Sequence, residues 1–232
     1  MYVALAAWVL VGAARADGLV VDKVYHPYVD QLAWELEWRL VQENEDPATG
    51  RERRQLQRLG VGRAVGERLF AEVYLIGGQN ADESLEVEGY EAEALWQLSE
   101  QGEFLLDYGL LFEVEKERDL DRWEYATTLL LEREFGSLSA TVNAGVVYEW
   151  GGDVSDEIET TLSLQGRYRY SPQFEPALEL YMGEETRGLG PVVLGRKRFG
   201  QMRALRWELG LILGLESSTA DYTLRAMLEY EF

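Results

Sequence analysis

The chain has 232 residues, with 22 Lys and Arg against 42 Asp and Glu and a formal charge of −20. That surplus excludes a basic face able to replace the counterions of nucleic acid. The absence of cysteine excludes disulfide scaffolds, thiolate–zinc sites and thiol nucleophiles, and a single histidine excludes a cage of imidazoles. With 47 % hydrophobic residues this is not an acidic coil, and a mean hydropathy of −0.25 argues against a bundle of membrane helices.

Tyr2 to Gly12 is apolar, and Ala14-Arg15-Ala16 then places small residues at the −3 and −1 positions of a cleavage site. The pattern predicts a signal peptide over 1–16, although no basic stretch precedes the apolar run. The alternative is a short buried helix; a spanning helix needs about 20 apolar residues. Residues 17–30 are expected to form a periplasmic N-terminal segment, and 31–232 a single β domain. The only histidine, His26, stands in Tyr25-His26-Pro27-Tyr28, ahead of the first strand.

From there the chain alternates with period two, which is the period of a strand with two unlike faces. Leu32, Trp34, Leu36, Trp38 and Leu40 interleave with Ala33, Glu35, Glu37 and Arg39. The same pattern runs from Phe104 to Val114, from Leu138 to Trp150 and from Tyr222 to Phe232. Twelve strands are predicted, at 31–42, 56–65, 69–78, 87–98, 104–115, 122–134, 138–150, 158–170, 174–183, 190–198, 203–214 and 221–232; ten or fourteen are the alternatives. Stretches of this length match tilted transmembrane strands of about 9–11 residues better than soluble strands of about five or six. The connections alternate between short ones, such as Phe135–Ser137, and longer ones rich in Gly, Asp, Glu, Asn and Pro. Tyr and Trp gather near strand ends, as in the two aromatic girdles of a membrane barrel. Two positions resist the pattern. Pro191 suits a strand end, and Arg63 falls in phase with Leu59, Val61 and Val65, so that it lies either at the membrane interface or beside a bulge.

The chain finishes Tyr222-Thr-Leu224-Arg-Ala226-Met-Leu228-Glu-Tyr230-Glu-Phe232. This resembles the carboxy-terminal signature of bacterial outer-membrane β-barrel proteins, a terminal aromatic preceded by apolar residues on alternate positions. The resemblance implies an antiparallel up-and-down transmembrane barrel in the outer membrane. It implies that Phe232, Tyr230 and Leu228 act as an assembly signal read by the barrel-assembly machinery, and that the neighbours of the barrel are outer-membrane lipid and lipopolysaccharide. It is silent about function.

The face opposite the apolar one is charged. Glu35, Glu37, Arg39, Glu72, Glu91, Glu93, Glu113, Glu132, Glu149, Arg167, Arg169, Glu179, Arg206, Glu208, Arg225 and Glu229 are the candidate lumen-lining residues. Charge on the lipid side costs about 2–4 kcal/mol per Arg or Lys near the midplane, so these side chains belong inside. Acids outnumber bases on this face. Incomplete pairing then predicts a bore that holds water and counterions and passes small solutes with a preference for cations. The alternative is a closed barrel, plugged by its own salt bridges, that serves as a scaffold or as the partner of a periplasmic or envelope complex. Hydrolase barrels that pair His with Ser on their surface are not matched, because no strand carries a histidine; no cofactor or metal motif is present. The acidic loops at Glu43 to Asp46, Asp153 to Glu157 and Glu184-Glu185 read as solvated surface rather than as cation cages. Arg196-Lys197-Arg198 reads as an interfacial snorkelling cluster.

Overall fold

The computed structural model describes residues 20–30, 34–44, 54–80, 84–200 and 203–232. The expected signal peptide (1–16), the start of the first strand at 31–33 and the acidic residues Glu45 and Asp46 lie outside the described residues.

Twelve antiparallel strands form one closed barrel: β1 (Trp34–Asn44), β2 (Arg54–Ala64), β3 (Leu69–Asn80), β4 (Glu86–Gln97), β5 (Asp107–Glu117), β6 (Arg122–Phe135), β7 (Leu138–Gly151), β8 (Glu157–Tyr168), β9 (Glu175–Met182), β10 (Arg187–Arg198), β11 (Ala204–Gly214) and β12 (Tyr222–Glu231). Each strand pairs with its neighbours in sequence, and β1 closes on β12 in the register Glu35↔Glu231 to Asn44↔Tyr222. Closure gives every strand a neighbour on both sides, so that the sheet has no free edge strand.

The period-two pattern sets which way each side chain points. Along β12, Tyr222, Leu224, Leu228 and Tyr230 face out and are exposed, while Thr223, Arg225, Met227, Glu229 and Glu231 face in and are buried. β1 repeats this, with Glu35, Glu37, Arg39 and Val41 inside. The outer surface therefore carries Leu, Val and aromatic residues such as Val73, Leu209, Leu178 and Tyr90. The links after even-numbered strands share one end of the barrel with Trp34 and Glu231. That end is called the turn end here, and the opposite one, reached by the links after odd-numbered strands, the loop end. β6 and β7 are joined by Gly136 and Ser137 alone, a turn that Gly136 permits at φ +65°.

Two local expectations are corrected, and of the two alternatives for Arg63 one holds. β5 starts at Asp107 rather than at 104, because Asp107 turns inward and its Oδ1 accepts the Gly102 N–H at 2.8 Å, which folds residues 98–106 into a longer link. β10 begins at Arg187, so Pro191 lies inside a strand and not at its end. There it pairs with Leu178 of β9, while the ladder to β11 passes from Leu189↔Leu213 to Val192↔Gly210 and skips the position where proline has no N–H to give. Arg63 faces outward without a bulge. It stands at the turn end with its guanidinium 4.9 Å from the Trp34 ring centroid, a cation–π contact in reach of water.

The largest departure concerns residues 20–30. They were expected to precede the barrel, but they run inside it. Val21 and Val24 are buried with Tyr181, Val192, Leu194 and Ile212 on the inner wall of β9 to β11, and Val20 and Ala177 pack against that cluster.

Candidate functional site

All sixteen residues expected to line the bore turn inward. Glu35, Glu37, Arg39, Glu72, Glu91, Glu93, Glu132, Glu179, Glu208, Arg225 and Glu229 are buried, and Glu113, Glu149, Arg167, Arg169 and Arg206 are half-buried. Two glycines of β2, Gly60 and Gly62, share this face, and side chains from β3 fill the space above them. A Cβ at Gly60 would stand 2.4 Å from the Tyr74 ring, and one at Gly62 2.5 Å from the Phe70 ring.

The expected surplus of unpaired carboxylates is reduced by Arg58, Arg122 and Arg196, which the strand pattern did not bring forward, and by the candidate bases Arg225, Arg167 and Arg169. Arg58 of β2 reaches Glu91 at 2.9 Å and Glu115 at 3.6 Å. Arg122 holds Glu124 at 2.5 Å and Glu149 at 2.6 Å. Arg196 meets Glu231 at 2.6 Å. Arg225, among the most buried side chains, sits between Glu179 at 3.0 Å and Glu208 at 2.8 Å. Arg167 and Arg169 lie 3.6 and 3.5 Å from Glu132 Oε1.

The remaining partners come from residues 20–30, which descend the bore from the loop-end half to the turn end and meet a wall residue at nearly every step. The Asp22 carboxylate takes Arg39 at 2.5 Å and Arg58 at 3.1 Å, and its carbonyl oxygen accepts from Arg225 and lies 2.7 Å from the Tyr181 hydroxyl. Lys23 Nζ binds Glu37 at 2.6 Å. The Tyr25 N–H donates to Asn143 Oδ1 at 2.7 Å, and Asn143 Nδ2 donates back to the Tyr25 carbonyl at 2.9 Å. One side-chain amide thus completes both main-chain groups, as a neighbouring strand would. The Tyr25 hydroxyl donates to Glu93 at 2.7 Å, and the Tyr28 hydroxyl to Asp107 at 2.7 Å. Val29 N–H donates to Gln97 Oε1 at 2.9 Å. Asp30 ends the series between Arg196, at 3.2 Å, and Arg206.

His26 is therefore not a residue of the periplasmic approach. Its Nδ1 lies 2.5 Å from Glu132 Oε2, to which Thr141 Oγ1 also donates at 3.2 Å, while Arg167 and Arg169 face the other carboxylate oxygen. The segment needs a basic or donor group there because Glu132 is fully buried. Pro27 fits against Gly109 of β5, where a Cβ would stand 3.2 Å from the proline Cβ. The signals that pointed to this packing were the small inward residue Gly109 and the run of donors from Lys23 to Tyr28. Neither says by itself where a chain segment outside the sheet will lie.

The segment leaves two spaces. One, of about 490 Å³, lies toward the turn end and is lined by Glu35, Glu72, Glu93, Arg167, Arg169, Arg206 and Glu229. The other, of about 240 Å³, lies toward the loop end among Arg58, Glu91, Glu113, Glu115, Glu117, Arg122, Glu124, Glu149 and Glu159. Lys23 and Tyr25 border both, so this part of the chain is the partition between them.

No known family model matches the chain, and no curated protein is similar to it in sequence. Its fold does match solved structures. Against the COG4313 outer membrane channel from Pseudomonas putida F1 the TM-score is 0.57 at 12 % identity, over 94 % of this chain and 100 % of that one. Against the KdgM porin in complex with disordered oligogalacturonate it is 0.55 at 11 % identity, over 85 % and 98 %. The β domain of the Bordetella autotransporter BrkA gives 0.53 at 13 % identity, over 86 % and 98 %. At these identities the likeness is one of fold, and the fold of this chain is that of the bacterial outer-membrane β-barrels.

Proposed function

We propose that the protein resides in the bacterial outer membrane as a channel for small solutes, with residues 20–30 as a resident plug and a preference for cations once the path is open. The observation that carries the reading is the division of surfaces. The outside is apolar along the strands, and the inside holds ionisable groups that need water, each other or a polar solute. Twelve strands lie between the eight that side chains alone can fill and the sixteen of wide porins. The fold neighbours include a channel and a porin. Cation preference rests on the loop-end space, where acids outnumber Lys23, Arg54, Arg58 and Arg122.

Single-channel conductance of the refolded full chain in planar bilayers, under a KCl gradient, tests this. Discrete openings with a reversal potential on the cation side are expected. Replacing Glu113, Glu115 and Glu117 together by Gln should move that potential toward zero. A folded barrel that never conducts would count against the channel and favour the closed scaffold, a reading supported by the fixed contacts of Asp22 and Asp30 with four arginines.

A further inference from the structure

We infer that the path filled by residues 20–30 is a binding site for a peptide that carries basic and hydroxyl side chains between two acidic ones, and that the chain's own segment is a tethered stand-in for that ligand. The inference rests on the channel reading only in that the segment must be able to leave; the site itself is argued from the wall.

Two kinds of contact define what the wall accepts. The first is to main chain. Asn143 completes both the N–H and the carbonyl of Tyr25, Gln97 takes the N–H of Val29, and Arg225 gives to the carbonyl of Asp22. Groups spaced to satisfy main-chain N–H and carbonyl groups at three residues of one run match the repeat of a peptide backbone. The second is to side chains. Between the two terminal aspartates every polar side chain of the segment is a donor, and each meets its own carboxylate: Lys23 with Glu37, Tyr25 with Glu93, His26 with Glu132 and Tyr28 with Asp107. These four acids belong to four different strands, so the row follows the path of the segment and not the run of any one strand. If the segment withdraws, the wall presents spaced acceptors for cationic and hydroxyl donors with amide-binding groups between them. That pattern, with the Arg39–Arg58 and Arg196–Arg206 pairs at its two ends, selects a peptide bearing Lys, Arg, His or Tyr between two acids.

The test uses the full chain with Lys23→Ala, Tyr25→Ala and His26→Ala, which weakens the tethered segment and leaves every wall residue in place. The probe is a fluorescent peptide with the native sequence of residues 20–30, capped at both ends, read by anisotropy against the barrel in detergent. Folding is checked by heat-modifiable migration; where the triple variant does not fold, Lys23→Ala alone replaces it. The native peptide should bind saturably. The same peptide carrying the three alanines should bind at least tenfold more weakly, and spermine at equal concentration should not displace the native one. A second variant fixes the segment in place. Because the chain has no cysteine, Pro27→Cys with Gly109→Cys can pair only with each other; the two Cβ positions, 3.2 Å apart, need a small outward shift to reach disulfide spacing. When oxidised it should take up no peptide, and when reduced it should exchange its segment for peptide in excess.

Equal binding of the two peptides, displacement by spermine, equal uptake by the oxidised barrel, or no binding to a folded variant would each overturn the peptide site. Conductance separates this from the channel reading. A barrel that conducts but takes no peptide refutes the site alone, and one that takes peptide without conducting refutes the channel alone.

Discussion

Asn143→Leu isolates the contact that most resembles strand pairing. The substitution keeps the number of side-chain heavy atoms and removes two hydrogen bonds, leaving the Tyr25 N–H and carbonyl without partners while the segment is seated. Released, both groups are hydrated, so the change acts on the seated state alone. An unmet buried donor or acceptor costs about 1–3 kcal/mol. Tyr25 borders both internal spaces and water can reach part of it, so the lower figure applies to each group, about 2 kcal/mol together. At about 1.4 kcal/mol per factor of ten, the population with the segment released should rise about 30-fold. Hydrogen exchange in detergent measures this at Val29, whose N–H is held by Gln97 and not by Asn143. A 30-fold faster exchange at Val29 shows that the segment leaves as a unit. Faster exchange at Tyr25 with Val29 unchanged would refute the reasoning, because the segment would then open contact by contact.

Arg225→Met should lower the temperature at which the folded band converts in gel electrophoresis, since Glu179 and Glu208 lose their shared cation; breaking a buried pair costs about 3–5 kcal/mol. Gly109→Val should speed exchange at Val29, because its Cβ would stand 2.9 Å from the Trp96 carbonyl and 3.2 Å from Pro27; unchanged exchange would mean that Pro27 does not depend on that space. Arg63→Ala should lower the unfolding free energy read from a urea titration by under about 1 kcal/mol, as befits an exposed cation–π contact, whereas Arg58→Ala on the same strand should cost several times more by freeing Asp22, Glu91 and Glu115; equal effects would refute the assignment of the two faces. Phe232→Ser should reduce the amount of folded barrel in cells and leave refolding into detergent unchanged, read by the same heat-modifiable band.

The strand pattern was legible because closure of an antiparallel barrel needs nothing beyond alternation, length and turns. Each of the twelve strands lies where the pattern puts it, with ends displaced by a few residues at places such as Asp107 and Arg187. The candidate wall residues were legible for the same reason: parity along a strand decides the face. What parity cannot give is the partner across the bore. Arg58 lies in phase with Gly60 and Gly62, opposite Leu59 and Val61, so its direction was readable, yet its role depends on Asp22, which belongs to no strand. Residues 20–30 carry no period at all. Their position follows from complementarity in three dimensions, a proline against Gly109 and a histidine against Glu132, and no one-dimensional pattern encodes that.

The charges explain why a bore of this size is occupied. Arg39 and Arg58 face each other across Asp22, and Arg196 and Arg206 share Asp30. Take the segment away and both pairs of like charges lose the anion between them, while Glu37, Glu93, Glu132 and Asp107 each lose the donor that the segment supplies. Either water and counterions must then enter, which suits a conducting state, or another molecule with the same sequence of charges must take the place of the segment. An apolar plug would meet neither need, and a plug of uniform charge would repel one half of the wall. The succession of an acid, then basic and hydroxyl donors, then an acid in residues 22–30 is the complement of the inner surface that strands β1 to β12 bring together.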